Sequence, residues 1–184
     1  VVTTQTVELA QGWNLVSFAG QPVRNGLPIA AVGDLLASIE GAYDLVQRFD
    51  AADPAKPWRT FDPAQPALST LQELQPGQAF WLHMVRPATW TLRREELYGV
   101  ATPLYSGWNL VGWPLPAAQE LPGALQRAAG RYALVWGYDA LATPPVWAPF
   151  EPTAPEWSNS LTALEPGRGY WLLATQDGPL YVTR

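Results

Sequence analysis

The sequence predicts a mainly β fold of the α+β class: two tandem β-rich repeats, each with one short helix, built as small sandwich- or barrel-like sheets. Three observations predict it. Long stretches of the first half return in the second. Short runs alternate apolar and polar residues at the period of a strand. The 19 prolines and 15 glycines are scattered between those runs and mark frequent turns.

The repetition is explicit. Gly12-Trp13-Asn14-Leu15-Val16 returns as Gly107-Trp108-Asn109-Leu110-Val111, 95 positions on. Tyr43-Asp44-Leu45-Val46, followed by Phe49-Asp50-Ala51, returns as Tyr132-Ala133-Leu134-Val135, followed by Tyr138-Asp139-Ala140, 89 positions on. Leu71, Leu74, Pro76-Gly77 and Phe80-Trp81-Leu82 return as Leu161, Leu164, Pro166-Gly167 and Tyr170-Trp171-Leu172, 90 positions on. The domains are therefore expected at 1–94 and 95–184, with the linker near 93–103. Residues kept in both halves point to scaffold, and residues private to one half are where a separate function can sit.

Each element follows from local pattern. Val7, Leu9 and the alternation from Trp13 to Phe18 predict strands around the Gly12 turn. Ile29, Val32, Leu35, Leu36 and Ile39 fall on one helical stripe between Pro28 and Ile39, and Gly41 ends it. Tyr43 to Phe49 predicts a strand with Tyr43, Leu45, Gln47 and Phe49 on one face, and Trp58 to Phe61 predicts another. Leu68, Leu71 and Leu74, three apart, predict a helical turn closed by Pro76-Gly77. Gln78 to Val85 and Thr89 to Leu92 predict a hairpin. The second repeat follows with strands at Trp108–Trp113, Tyr132–Tyr138, Val146–Phe150, 169–175 and 180–183, and a helix at 121–129 before Gly130.

Composition removes several function classes. The net charge of −5 repels a phosphate backbone, so nucleic acid is not an expected partner. Arg93-Arg94 is followed at once by Glu95-Glu96, which cancels that basic pair. Cysteine is absent, which removes thiol chemistry and thiolate metal sites. No run of about 20 apolar residues exists, so no membrane span is expected. Val1 opens the chain without Met or a hydrophobic leader, which fits an exported protein whose signal peptide is removed, or a domain of a longer chain.

No catalytic residue, metal ligand set or cofactor site stands out. His83 is the sole histidine and its counterpart is Leu173, so it reads as a strand residue. Asp44, Asp50 and Asp53 resemble a hard-cation cluster, but Ala133 and Ala142 replace two of them, and Asp before Pro is ordinary turn chemistry. Gly167 and Gly169 precede a strand, not a helix, which fails the context a phosphate loop needs. The expectation is a protein that is not an enzyme.

Ten tryptophans in 184 residues carry the sharper expectation. Trp13/Trp108, Trp58/Trp147 and Trp81/Trp171 are matched between repeats and read as repeat core. Trp90, Trp136 and Trp157 are private, facing Leu180, Gln47 and a loop, and read as interface or ligand aromatics.

The motif residues resemble a repeat module of exported and cell-surface proteins of bacteria and archaea. Its pattern runs Gly-Trp-Asn-Leu-[Val/Ile]-Ser, then Tyr-x-x-Val-x-x-[Tyr/Phe]-Asp, a lone Trp, and Leu-x-x-Leu-x-Pro-Gly-x-Gly-Tyr-Trp. Gly12 to Ser17, Tyr43 to Asp50, Trp58 and Leu71 to Trp81 match it, as do Gly107 to Val111, Tyr132 to Asp139, Trp147 and Leu161 to Trp171. The departures are Ala79-Phe80 in place of Gly-Tyr and Gly112 in place of Ser. The resemblance implies an extracellular or cell-surface location and an accessory, scaffolding role, with no activity attached.

Two functions are therefore expected in order. The first is a structural surface module that associates head to tail into a filament with copies of itself, or docks other surface proteins. The segment Val1, Val2, Thr3, Thr4, Gln5, Thr6, Val7 is β-prone, uncharged and free of Pro and Gly. It is expected to pair with a sheet edge, in its own chain or in the next copy. Arg184 matches Arg94 and Val1 matches Glu96, so the chain holds two whole periods, as a head-to-tail unit would. The alternative is a carbohydrate-binding accessory module, with polysaccharide as partner and the private tryptophans as its platform.

Overall fold

Alternation along the strands decides which face each residue buries, and the computed structural model describes the result for residues 1–184. The first repeat contributes β1 (Val2–Leu9), β2 (Gly12–Ser17), β3 (Gln21–Arg24), β4 (Leu27–Pro28), β5 (Tyr43–Phe49), β6 (Trp58–Phe61), β7 (Ala79–Met84) and β8 (Ala88–Glu95). The second contributes β9 (Gly99–Leu104), β10 (Gly107–Gly112), β11 (Gln119–Glu120), β12 (Tyr132–Asp139), β13 (Val146–Phe150), β14 (Ala163–Leu164), β15 (Gly169–Ala174) and β16 (Gly178–Thr183). The fold is mainly β, with several small antiparallel sheets. No helix is long and apolar enough to cross a membrane.

Each repeat is built on one antiparallel sheet, β2-β7-β5-β6 in the first and β10-β15-β12-β13 in the second. Over its inner face lies a second layer, β1-β8-β3-β4 in the first repeat and the β9–β16 pair in the second. Val16, Val46, Phe61, Phe80 and Leu82 meet Leu9, Trp90 and Leu92 in one core; Val111, Val135, Phe150, Tyr170 and Leu172 meet Leu104, Leu180 and Val182 in the other. The repeat spacing falls from 95 to 89 between β2 and β5 because the first repeat inserts the β3–β4 hairpin. Asn25 and Gly26 turn it with φ of 52° and 78°, the pair of positive angles a tight twisted hairpin needs.

Five local expectations are corrected. The helical stripe forms only α1 (Val32–Leu35) and a 3-10 turn, Ala37–Ile39. Pro28 to Ala31 is drawn into sheet-like bonding instead, Ile29 N–H to the Pro22 carbonyl and Ala31 bridging Glu73. In the second repeat, Gly123–Ala128 is a kinked 3-10 segment after Pro122. Leu71 and Leu74 are buried but extended, with the Leu71 amide bonding the Thr60 carbonyl, while Leu68 is exposed in the 3-10 turn Pro66–Leu68. β7 and β8 are not a hairpin: β7 pairs with β2 and β5, and β8 with β1 and β3, so the intervening turn carries the chain from one sheet to the other. A bulge between Tyr43 and Leu45 also breaks the alternation of β5, leaving Tyr43 with Val46 in the core.

The N-terminal segment pairs within its own chain. β1 runs antiparallel to β8 from Val2↔Glu95 to Leu9↔Ala88, so its inner edge is occupied. The Gln5 side chain turns inward, its Nε2 donating to the Ser17 carbonyl and its Oε1 accepting from the Ala19 amide.

The repeats join by a reciprocal contact. The Ser17 amide donates to the Gly167 carbonyl (3.0 Å), and the Gly112 amide donates to the Gly77 carbonyl (2.9 Å). Val16 bridges Arg168 and Val111 bridges Gln78. Each repeat thus covers the open edge of the other's main sheet with its Pro-Gly turn, and the two are related by a pseudo-two-fold axis. A small third cluster of Leu15, Ala79 and Leu110, flanked by Phe49, Trp81, Tyr138 and Trp171, fills the axis.

Of the departures from the repeat pattern, Ala79 and Gly112 sit on this axis, while Phe80 lies in the first core. A Cβ at Gly112 would lie 2.5 Å from that of Ser17, and one at Gly169 would lie 2.7 Å from that of Ala79. Only one side chain of each pair fits. Ser17 uses its place to donate a hydrogen bond to the Arg168 carbonyl at 2.6 Å.

Candidate binding face

Residues pointing away from the two cores line the facing surfaces of the main sheets. On the first sheet the outer row is Trp13, Trp81, Gln47, Phe49 and Trp58; on the second it is Trp108, Trp171, Trp136, Tyr138 and Trp147. The sheets touch at the axis and leave a groove on each side of it. One groove, of about 550 Å³, is lined by Phe49, Trp108, Trp136, Trp147 and Trp171. The other, of about 340 Å³, is lined by Trp13, Gln47, Trp58, Trp81, Tyr138 and Trp147. The repeat offsets map the first five residues onto Tyr138, Trp13, Gln47, Trp58 and Trp81, so the grooves are counterparts across the axis.

This corrects the placement of the six repeat-matched tryptophans. Trp13, Trp58, Trp108 and Trp147 are 38%, 46%, 39% and 42% exposed, and Trp81 and Trp171 are half-buried beside the third cluster; none belongs to either repeat core. They are shared between copies because each walls a groove made jointly. Trp81 meets Tyr138 and Trp147 of the other repeat with centroids 5.2 and 5.9 Å apart, and Trp171 meets Phe49 and Trp58 at 5.1 and 6.1 Å. Nearly all these contacts are edge-to-face, the arrangement the ring quadrupole favours, so the indoles brace one another while leaving faces open.

The private tryptophans separate. Trp90 is corrected from a surface aromatic to a core one: it is buried against Phe80, and its indole N–H donates to the Leu35 carbonyl at 2.8 Å. The residue that occupies its place in the other repeat, Leu180, is also buried. Trp157 stands exposed in a 3-10 turn (Glu156–Ser158) and lines neither groove. Trp136 lines the larger groove, edge-on to Trp147 at 6.3 Å and opposite Trp171 across the strands.

Four substitutions distinguish the grooves. Gln47 and Tyr138 line the smaller groove, and His83, bonded to Asp44, stands beside its Trp13 wall. Trp136 and Phe49 are the counterparts that line the larger groove, and Leu173 and Ala133 are the sequence counterparts of His83 and Asp44. The β5 bulge presents Asp44 to the outer face, where His83 Nδ1 lies 2.6 Å from Asp44 Oδ1 and the imidazole sits 4.9 Å from the Trp13 ring. An ionised carboxylate only accepts, so this bond puts a proton on Nδ1 and leaves Nε2 as the ring's second polar atom, an acceptor in the neutral imidazole and a donor in the imidazolium. Sequence reading missed this pair, although both members are private to one repeat. That joint departure is the signal that marks them.

The other acids are engaged locally. Asp50 lies 3.9 Å from Arg48 and 3.8 Å from Arg59, and Asp53 bonds Arg59 at 2.7 Å. The Lys56 amide, reinforced by Arg59, holds the Asp53 carboxyl below its usual range. Burial pulls the Arg48 guanidinium down, with Asp50 opposing the shift. Asp44, Asp50 and Asp53 do not converge on one point, and no three His, Cys, Asp or Glu residues are grouped to hold a metal.

No family model, curated protein or solved structure matches the chain. The resemblance to a surface-protein repeat therefore rests on its motif residues alone, and the geometry of the aromatic face carries the functional argument.

Proposed function

We propose that the chain is a saccharide-binding accessory module of an exported surface protein, using the indole-lined face between its repeats. The observation that carries this reading is the presence of four tryptophans, each about two-fifths exposed, on two open grooves of one face. Apolar patches of this kind on a folded surface mark binding sites, and groove volumes of a few hundred cubic ångströms suit small ligands and chain segments. Indole faces stack on the C–H faces of sugar rings, and a saccharide needs no charge on its receptor. The reading assigns no catalytic residue, metal or cofactor.

Intrinsic tryptophan fluorescence across a broad panel of soluble oligosaccharides and insoluble polysaccharides tests it. A saturable emission shift with at least one saccharide is expected. Silence across the panel, or a shift produced only by a proline-rich peptide, overturns the reading.

Head-to-tail association of copies has a different observation behind it: β1 is an edge strand. Because β8 already holds its inner edge and Gly167 of the second repeat approaches Gln5 and Val7, a next copy has the outer edge of Val2 to Thr4 to use. Negative-stain microscopy of the whole chain decides this reading, filaments supporting it and monodisperse particles at high concentration removing it.

A further inference from the structure

We propose, resting on the saccharide-binding reading above, that the saccharide occupies only the smaller groove of Trp13, Trp58 and Trp81, held by Gln47, Tyr138 and His83. The chain then takes one saccharide although its repeat symmetry offers two grooves. A sugar ring has apolar C–H faces and a belt of hydroxyls. Stacking satisfies the faces, but each hydroxyl that leaves water needs a partner, and an unmet one costs more than the stack returns.

The smaller groove supplies partners of the required kinds. In the lining, the Gln47 amide gives a donor and an acceptor and the Tyr138 hydroxyl does both; beside the Trp13 wall, His83 adds Nε2, an acceptor in the neutral ring and a donor in the charged one. Asp44 fixes the imidazole by its 2.6 Å bond to Nδ1 and so acts as a positioning residue. At the counterpart places the larger groove is lined by Trp136 and Phe49, and the sequence counterparts of His83 and Asp44 are Leu173 and Ala133. Its indole N–H groups can only donate, and no side chain lining it accepts a hydrogen bond. Both changes in the linings run toward polar groups at the smaller groove, and the His83–Asp44 pair beside it runs the same way. Size does not decide the matter: the larger cavity is the less suited one.

Calorimetric titration of the whole chain with the best oligosaccharide of the panel tests the division. One ligand per chain is expected. Gln47→Ala and His83→Leu are each expected to weaken binding about tenfold, the loss of one hydrogen bond to a bound ligand. Tyr138→Phe, which copies the residue already present in the other groove, is expected to weaken it by a similar factor without disturbing the fold. Trp136→Leu, which alters the larger groove without adding a polar group, is expected to leave affinity and stoichiometry unchanged. Thermal melting of each variant identifies any that is unfolded, and Tyr138→Phe, which only removes a hydroxyl, then carries the test. Two ligands per chain, or a loss with Trp136→Leu equal to that with Gln47→Ala, overturns this proposal and leaves the saccharide reading standing. No binding by the unmodified chain overturns both.

Discussion

The two grooves have three matched indole walls, Trp13, Trp58 and Trp81 in the smaller and Trp108, Trp147 and Trp171 in the larger, with Trp147 reaching the smaller one as well, but differ around them. What they share is imposed by contact between the repeats, because Trp81 and Trp171 each stand against aromatics of the opposite copy. Of what differs, Tyr138 and Phe49 keep an aromatic ring against the opposite copy and differ only by a hydroxyl, whereas Gln47 and Trp136 line open groove and make no aromatic contact across the axis. Recurrence between copies therefore marks the surfaces where copies meet as firmly as it marks a core. The same logic separates Trp90 from Trp136. Both are private to one repeat, yet one fills a core place that Leu180 fills in the other repeat, and the other lines open surface.

Substitutions can break or sharpen this contrast. The largest effect is expected from Trp90→Ala, about 4 kcal/mol of lost stability by urea unfolding, from the cavity and the orphaned Leu35 carbonyl. Trp90→Leu, which imports the residue of the other repeat, should cost less because it refills part of the space. A loss below 1 kcal/mol for the alanine change, roughly the level of a surface substitution, would remove Trp90 from the core.

Gly112→Ser is expected to cost about 2 kcal/mol by overpacking the axis, since its Cβ would approach the Gln78 carbonyl oxygen to 2.8 Å as well as Ser17. Adding Ser17→Gly should restore most of that loss, because the serine then simply changes sides. If the double variant is no more stable than the single one, the pseudo-two-fold relation fails at this point.

Burial raises the Tyr170 hydroxyl well above its ordinary value, while its counterpart Phe80 cannot ionise. Below pH about 10 both folded and unfolded chains keep this proton; above it the unfolded chain loses the proton first. Stability should then fall by up to about 1.4 kcal/mol per pH unit from this group. Tyr43 and Tyr132, raised chiefly by burial as well, add a matched alkaline loss in each repeat. Tyr170→Phe should therefore flatten the slope of unfolding free energy between pH 10 and 11 relative to the unmodified chain. An unchanged slope would show that Tyr170 is not shielded.

The smallest effect is expected from Trp157→Ala, within about 0.5 kcal/mol, because the residue is 87% exposed.

Much of the fold was readable in the chain. Alternation in the sequence places β2, β5, β6 and β12 almost to the residue, although burial follows it only in part: β2 is buried on both faces from Asn14 to Ser17, and the bulge puts Tyr43 and Val46 of β5 in one core. It failed where the backbone found partners outside its own segment. Ile29 and Leu71 belong to plausible helical stripes, but their amides bond Pro22 and Thr60, a choice only the folded neighbours create. Pairing of β7 with β2 rather than β8 is likewise a property of packing, with Phe80 and Trp90 facing each other across the core. At the candidate face, Trp136 could be singled out because it was private. The six paired indoles were assigned inward because their repetition does not say which of two buried surfaces requires it. His83 and Asp44, 39 positions apart, meet only through the β5 bulge.

Joining the two halves in one polypeptide has a further consequence at the axis. In a dimer of identical chains every alteration appears twice, so a serine at the axis would confront its own image and a polar groove would always be accompanied by a polar twin. A tandem chain escapes that rule. It can hold Ser17 against Gly112 and Ala79 against Gly169, keeping one close fit where identical partners would face a clash or a void. It can also let one groove change while the other stays as it is, so the covalent link gives the molecule a left and a right that its architecture alone would not have.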